Sequence, residues 1–243
     1  MITSRTNPKL KKVRKLLSSA SERRRSGLFV IEGTRLFAET PKELIEDVLI
    51  SDQAKDPGLS GYPGFEVVEH SLFRGLSDTV NPQGILAVVR KPVWEEPAGK
   101  GKTLLLDGIR DPGNLGTMIR TAEAAGVRGV YMSPDCVDLY NPKVIRSTMG
   151  SIFRVPCFLA DLPSVIRELQ KKGTSVYATS LSATRSFRKA DLRDAGIIIG
   201  SEASGISKEV LSIASEHIKI PMAGRVESLN AAVSAAVLLF CQE

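Results

Sequence analysis

The sequence predicts an α/β protein in two parts: a small N-terminal α/β domain and a larger C-terminal α/β domain built on a parallel sheet. Three observations carry this. Short apolar runs alternate with stretches of helical periodicity along nearly all of the 243 residues, the order that builds sheets covered by helices. Ile197 to Ile199 is a β-branched run without polar alternation, the pattern of a strand buried on both faces. Between the halves, Lys91 to Gly101 (K-P-V-W-E-E-P-A-G-K-G) breaks the alternation with two prolines, two glycines and clustered charges. The boundaries follow as 1–93, a linker at 94–101, and 102–243.

Taken in order, Leu10, Val13, Leu16 and Leu17 recur at helical spacing between Pro8 and Ala20, with Asn7 placed to cap and basic residues on the other faces. Leu28 to Ile31 reads as a strand, Gly33 to Thr40 as a helix and Asp47 to Ile50 as a strand. Phe65 to Glu69, Ser71 to Leu76 and Ile85 to Val89 continue as strand, helix, strand. The second domain opens on a strand, Thr103 to Asp107, then a loop to Gly113 and a helix from about Asn114 to Ala125. Strands at Gly129 to Met132, Val155 to Leu159 and Ser175 to Thr179 alternate with helices at Pro142 to Gly150 and Leu162 to Lys172. Ile197 to Ile199 stops at Gly200-Ser201-Glu202, and Ile218 to Ile220 stops at Pro221. From Ser228 the chain is Ala/Val/Leu all the way round, which predicts a buried helix. Two strands ending side by side in glycine-rich loops predict a small-molecule pocket at the sheet's carboxyl edge.

The totals exclude several classes. Hydrophobic content of 42% and charged content of 25% are those of an ordinary globular protein. No apolar run approaches the roughly 20 residues that cross a bilayer, and no signal-peptide apolar region opens the chain, so no membrane partner is expected. Cys136, Cys157 and Cys241 form no C-x-x-C pair, so neither a disulfide framework nor a zinc site is expected and a reducing cytoplasm fits. With His70 and His217 as the two histidines, no metal is expected. Gly101-Lys102-Thr103 lacks the earlier glycine and the following helix of a P-loop.

Charge is uneven. Residues 1–25 hold Arg5, Lys9, Lys11, Lys12, Arg14, Lys15, Arg23, Arg24 and Arg25 against one acid, Glu22. That balance of +8 exceeds the +6 of the whole chain, so the remainder is net acidic. A cluster of this kind pairs with a polyanion by displacing its counterions, or is a solvated terminal helix. These nine residues are the candidate contacts to such a polyanion.

Three loops could carry chemistry. Asp111-Pro112-Gly113-Asn114-Leu115-Gly116 makes a tight turn into a helix reaching Arg120, with Asn114 as its cap or as a site residue. Glu202 follows a buried strand and needs a partner, for which Arg120 or Asn114 is placed; Ser207 serves as the next helix's cap. Ile220-Pro221-Met222 and Ser228-Leu229-Asn230 read as core and as a cap at Ser228, or as a third site loop.

Together and in this order the loops resemble the SpoU/TrmH family of RNA ribose methyltransferases, of the knotted SPOUT class. Asn114, Gly116 and Arg120 match its first motif; Gly200, Glu202 and Gly205 its second; Ile220, Pro221, Met222, Ser228, Leu229 and Asn230 its third. The resemblance covers about Lys102 to Phe240, and Phe29 to Phe37 is similar to the family's substrate-binding extension. It implies a deep trefoil knot in Ala195 to Phe240 and a homodimer with an RNA site shared between chains. It implies S-adenosylmethionine contacted by Thr179, Ser180, Leu181, Gly200, Ile220, Met222, Ser228, Leu229 and Asn230. The implied reaction is methyl transfer to a ribose 2′-hydroxyl, with Arg120 catalytic and Asn114 and Glu202 orienting it. The N-terminal extension points to ribosomal RNA, 23S foremost. A transfer-RNA enzyme, an antibiotic-resistance ribosomal-RNA methyltransferase and a non-catalytic ribosome-assembly factor are the alternatives.

Overall fold

A computed structural model describes residues 1–54, 64–77, 79 and 81–241. The chain packs as two compact units, residues 1–93 with 140–153, and residues 94–139 with 154–243.

The first unit opens on α1 (Pro8–Ser18) and α2 (Ala20–Ser26). Asn7 Oδ1 accepts from Lys9 N at 2.9 Å and Pro8 sits where its missing N–H costs nothing, so the helix starts where the sequence placed it. Gly27, at φ +69°, ends α2 in the left-handed cap that glycine adopts without penalty. Then follow β1 (Leu28–Glu32), α3 (Thr34–Glu39), β2 (Ile45–Ser51), β3 (Glu66–Val68), α4 (His70–Arg74) and β4 (Ile85–Arg90). The sheet order is β1-β4-β2-β3, with β4 antiparallel to both neighbours and β3 parallel to β2. Leu10, Val13 and Leu16 of α1 are buried in one core with Leu28, Val30, Leu49, Leu86, Val88 and Phe73.

The unit is completed by α6 (Pro142–Thr148), which lies between α5 (Pro112–Ala124) and later elements in sequence yet packs on β1. Tyr140 and Phe153 bracket the Phe29 ring, with centroids 4.8 and 6.1 Å away, and Lys91 Nζ sits 4.5 Å above the Tyr140 ring. Helical periodicity marks which face of a helix is apolar and is silent on which sheet receives it.

The second unit holds β5 (Thr103–Asp107), α5, β6 (Gly129–Met132), β7 (Cys157–Leu159), α7 (Leu162–Lys171), β8 (Val176–Thr179) and β9 (Arg185–Ser186). It ends with β10 (Gly196–Gly200), α8 (Lys208–Ile213), β11 (Glu216–Lys219) and α9 (Ala231–Leu239). The strands run parallel in the order β7-β6-β5-β10-β8-β11-β9, so β10 inserts between β5 and β8 and pairs with both. Leu104, Leu105, Leu106, Ile197 and Ile198 are fully buried, as strands covered on both faces require. Leu162 and Ile166 of α7 and Val210 of α8 share a core with Leu105, Val176 and Ile198, while α5 packs on α9. Lys102 is buried and its Nζ donates to Leu239 O at 2.5 Å, closing the carboxyl end of α9. The residue that mimicked a P-loop lysine is therefore a helix cap.

Three expectations are corrected. The cap of α5 is Asp111, whose Oδ1 accepts from Asn114 N at 2.7 Å, so Asn114 lies inside the first turn. The cap of α9 is Asn230, not Ser228; its Oδ1 accepts from Ala232 N at 2.9 Å and Val233 N at 3.3 Å. Nor is α9 buried all round, since Val233 is 47% exposed and Phe240, just beyond it, 44%. An Ala/Val/Leu run has no polar face to betray which side meets solvent. Among the described residues no helix is long and apolar enough to cross a membrane.

Candidate functional site

The carboxyl ends of β10 and β11 border a cleft of about 390 Å³, with α9 contributing Ala231 and Ser234 to its wall. Its shape depends on the turn after β10. Ser201 N donates to Gly205 O at 3.1 Å and Gly205 N donates back to Ser201 O at 2.9 Å, with Gly205 at φ +65°. A Cβ on Gly200 would collide with the backbone of Gly205 and Ile206, so the residue is glycine because the turn closes over it. Of the residues expected at a cofactor, Thr179, Ser180, Leu181, Gly200, Ile220, Met222, Ser228 and Leu229 line this cleft. Asn230 does not; its side chain is committed to the α9 cap and to Asn114.

Ile199, Ser201, Glu202, Ser204, Ile218, Lys219, Ala231 and Ser234 also line the cleft. Lys219 is the one cation among these and Glu202 the one carboxylate. Ser234 lies inside an apolar helix run, where a serine gives no signal of what it faces.

At the cleft's rim, three segments distant in sequence are joined by side chains. Asn114 Nδ2 donates to Glu202 Oε1, and Asn230 Nδ2 donates to Asn114 Oδ1 at 3.0 Å. The first turn of α5, the loop after β10 and the start of α9 are thereby tied together. The carboxylate is exposed rather than buried, so its partner is not forced by desolvation; Asn114 meets it as a neutral donor. Ser207 stands at the cap position of α8 without a side-chain cap bond; its backbone N–H is held by buried Asp107 Oδ2 at 2.7 Å.

Arg120 is not part of this junction. It is exposed on α5 and, among the described residues, has no hydrogen-bond or ion-pair partner. Six residues along a helix advance about 9 Å and turn about 240°, so Arg120 and Asn114 present to different faces. The expectation that Asn114 and Glu202 orient Arg120 directly is corrected within one chain.

In the first unit the basic segment divides in use. Arg23 is 3% exposed, its Nη1 donating to Leu16 O at 2.5 Å and Leu17 O at 3.1 Å, so it closes the α1 carboxyl end and is no surface contact. Lys9 pairs with Glu66 at 2.5 Å and Asp47 at 3.0 Å, and Lys12 with Glu46 at 3.2 Å and Asp47 at 3.3 Å. Burial alone would raise the Asp47 carboxyl, but the hydrogen bonds from Lys9 and Lys12 outweigh it and hold the pKa below its ordinary value. Hydrogen bonds to Glu66 and then Asp47 hold Lys9 above its ordinary value. Arg25 pairs with Glu22 at 2.6 Å, and Arg14 Nη1 donates to Arg5 O at 2.9 Å. Lys11, Lys15 and Arg24 are exposed, with no side-chain partner among the described residues.

Known proteins resemble the chain in sequence and in fold. The model of the SpoU rRNA methylase family matches residues 101–240, and that of an MRM3-like substrate-binding domain matches residues 7–87. A 23S rRNA (guanosine(2553)-2′-O)-methyltransferase, RlmP, of Bacillus subtilis is 35% identical over 98% of this chain and 97% of its own length. The crystal structure of an AdoMet-bound rRNA methyltransferase from Sinorhizobium meliloti superposes with a TM-score of 0.85 at 29% identity, covering 98% of this chain and 95% of that one. The SpoU methyltransferase AviRb of Streptomyces viridochromogenes, in complex with AdoMet, gives 0.85 at 25% identity, covering 96% of each chain. With the motif loops gathered at one sheet edge and the family model spanning more than half of its length, the chain belongs to the SpoU rRNA methylase family.

Proposed function

We propose that the protein is an S-adenosylmethionine-dependent methyltransferase acting on a ribose 2′-hydroxyl of 23S ribosomal RNA in the cytoplasm. The observation that carries this is the coincidence of the cleft and the junction: Glu202 lines the cleft and accepts from Asn114 at its rim. The donor set suits the methyl donor. Hydroxyls, backbone amides and apolar side chains dominate the wall, fit for an uncharged nucleoside and the aliphatic stem of a methionine arm, and one lysine is too few for a polyphosphate. When bound, S-adenosylmethionine supplies a sulfonium methyl whose leaving group needs no acid.

This chain's residues then have positional work. Thr179, Ser180, Leu181, Gly200, Ile220, Met222, Ser228 and Leu229 hold the donor. Asn230 acts one step back, fixing Asn114. The Asn114–Glu202 pair fixes the loop after β10 against α5, so that alignment rather than acid–base chemistry lowers the barrier. Arg120 holds the 2′-hydroxyl and a neighbouring phosphate through its forked guanidinium donors, and the hydroxyl proton passes to solvent late in the transfer. Its isolation in one chain is consistent with a homodimer in which RNA lies between copies, the apolar Val233 and Phe240 being covered there. We further propose that Ala195 to Phe240 is threaded as a trefoil knot; the insertion of β10 between β5 and β8, with β11 beyond β8, supports it.

Incubation with a methyl-labelled donor and separated RNA pools tests the reading. Label in 23S RNA, mapped to a 2′-O-methyl nucleotide, is the expected result. Label confined to transfer RNA would move the substrate, and no label in any pool, ribosomal precursor particles included, would overturn the enzyme reading.

A further inference from the structure

The first unit holds a second hollow, of about 410 Å³, lined by Thr34, Ser51, Gln53, His70, Pro82 and Gln83, with Phe73 and Gly84 beneath. Its size falls within the roughly 300–1,000 Å³ of small-ligand sites. No described lining residue carries a formal charge at neutral imidazole, which sets it apart from the cationic α1 of the same unit. Phosphate would select cations; a wall of two carboxamides, two hydroxyls and an imidazole selects a neutral ligand with a patterned hydrogen-bonding edge.

The polar groups are held in place. Gln83 Oε1 accepts from Thr34 N at 2.8 Å and Thr34 Oγ1 at 3.2 Å, which leaves the Gln83 NH2 as a donor. Gly33, at φ +99°, permits this approach, since a Cβ there would lie 2.7 Å from Gln83 Oε1. His70 Nδ1 shares a hydrogen bond with Ser51 Oγ at 3.0 Å, leaving Nε2 for another partner, and Asp52 Oδ1 fixes His70 N at 2.9 Å. Phe73 is fully buried and makes an apolar floor, and Pro82 a side wall.

We propose that this hollow receives an unpaired nucleobase of the RNA substrate and reads its edge through Gln53, Gln83 and His70. The inference rests on the RNA reading above and adds where sequence is read. Unstacked bases in loops and bulges are what proteins recognise in RNA, because A-form grooves hide base edges. The unpaired cations Lys11, Lys15 and Arg24 supply attraction without sequence, and a neutral polar hollow supplies the selection they lack.

Two arms test it on the full-length protein. Titration with AMP, GMP, CMP and UMP, followed by NMR at the His70 ring and the Gln53 and Gln83 carboxamides, should move these signals with one base preferred. In the methyl-transfer assay on a 23S RNA transcript, Gln53→Ala and Gln83→Glu should each raise KM about tenfold, the loss of one hydrogen-bonded edge, with kcat and Tm unchanged. Gln83→Glu keeps the acceptor for Thr34 N and removes the amide donor, so a folding defect is not its expected outcome. Absence of any nucleotide response at His70 overturns the proposal. So does nucleotide binding with KM unchanged in both variants, which would mark a site for free nucleotides. A wild-type protein that transfers no methyl to any RNA would instead overturn the reading beneath it, whatever the nucleotides do.

Discussion

Two polar regions of this chain behave in opposite ways. At the cleft, Asn114, Glu202 and Asn230 are 88 and 116 residues apart in sequence across their two hydrogen bonds, and the fold gathers them into one junction. In the N-terminal segment, nine cations lie within 25 residues, and the fold disperses them: Arg23 into the α1 carboxyl end, Lys9 and Lys12 onto Asp47 and its neighbours. Closeness in sequence overstated what the basic helix offers a polyanion. Distance in sequence understated what the loops could build together. A charge counts for binding only if the folded chain has not already used it.

The contrast is sharpest at Arg120, the one residue of the expected catalytic trio Arg120, Asn114 and Glu202 left outside the junction. If its work is on the RNA, Arg120→Ala should lower kcat by about two to three orders of magnitude, the scale of a lost transition-state donor, with donor affinity unchanged by calorimetry. Turnover near wild type would remove it from the chemistry. The junction itself should respond next. Asn114→Ala and Asn230→Ala should each cost about tenfold in turnover, and a double-mutant cycle should show them strongly non-additive because they share one hydrogen bond. Asn230→Ala should also lower stability by about 1 kcal/mol through the lost α9 cap, which Asn114→Ala should not. Additive losses would mean that the two residues act separately.

The sequence made the architecture readable because the large sheet is parallel and doubly covered. Strands such as Thr103–Asp107 and Gly196–Gly200 then show through the apolar runs 104–106 and 197–199, and Gly200, which ends the second, marks the site edge. It hid what depends on partners. Two-residue β9 has no pattern to display, and α6 carries an ordinary apolar face whose destination, β1, no local signal names. Asn114, after the Pro112-Gly113 turn, reads as the α5 cap, yet Asp111 caps, because a residue with capping chemistry can sit inside the turn it seems to open. Arg120 was tied to Asn114 by co-occurrence in a motif, and helix geometry separates them.

The basic segment offers a graded test. Log affinity for RNA falls with log salt by roughly 0.7–0.9 per phosphate contact, so Lys11→Ala, Lys15→Ala and Arg24→Ala together should flatten the slope by about two. Arg23→Ala should leave the slope unchanged and lower Tm, because its guanidinium faces backbone carbonyls. An equal loss of slope in both would show that burial of Arg23 does not withhold it from RNA.

The smallest expected effect concerns the acids that occupy Lys9 and Lys12. The Asp47 carboxyl titrates below its ordinary 3.8 in the folded chain, so the unfolded chain takes up the proton first as pH falls. Its contribution is therefore complete above about pH 4 and is lost as pH drops through the folded value. Asp47→Asn should lower stability at pH 7 by no more than about 1 kcal/mol, as befits a partly exposed pair network, and the gap to wild type should close as pH falls below 3.8 and through the folded value. Lys9, raised above 10.5, contributes in the opposite direction: its share persists through neutral pH and fades only as pH climbs past its folded value. Thermal unfolding of both proteins from pH 2 to 11 separates these terms. A gap that stays constant down to pH 2 would mean that Asp47 acts by packing, not by charge, and that Glu66 and Glu46 alone hold Lys9 and Lys12 back from RNA.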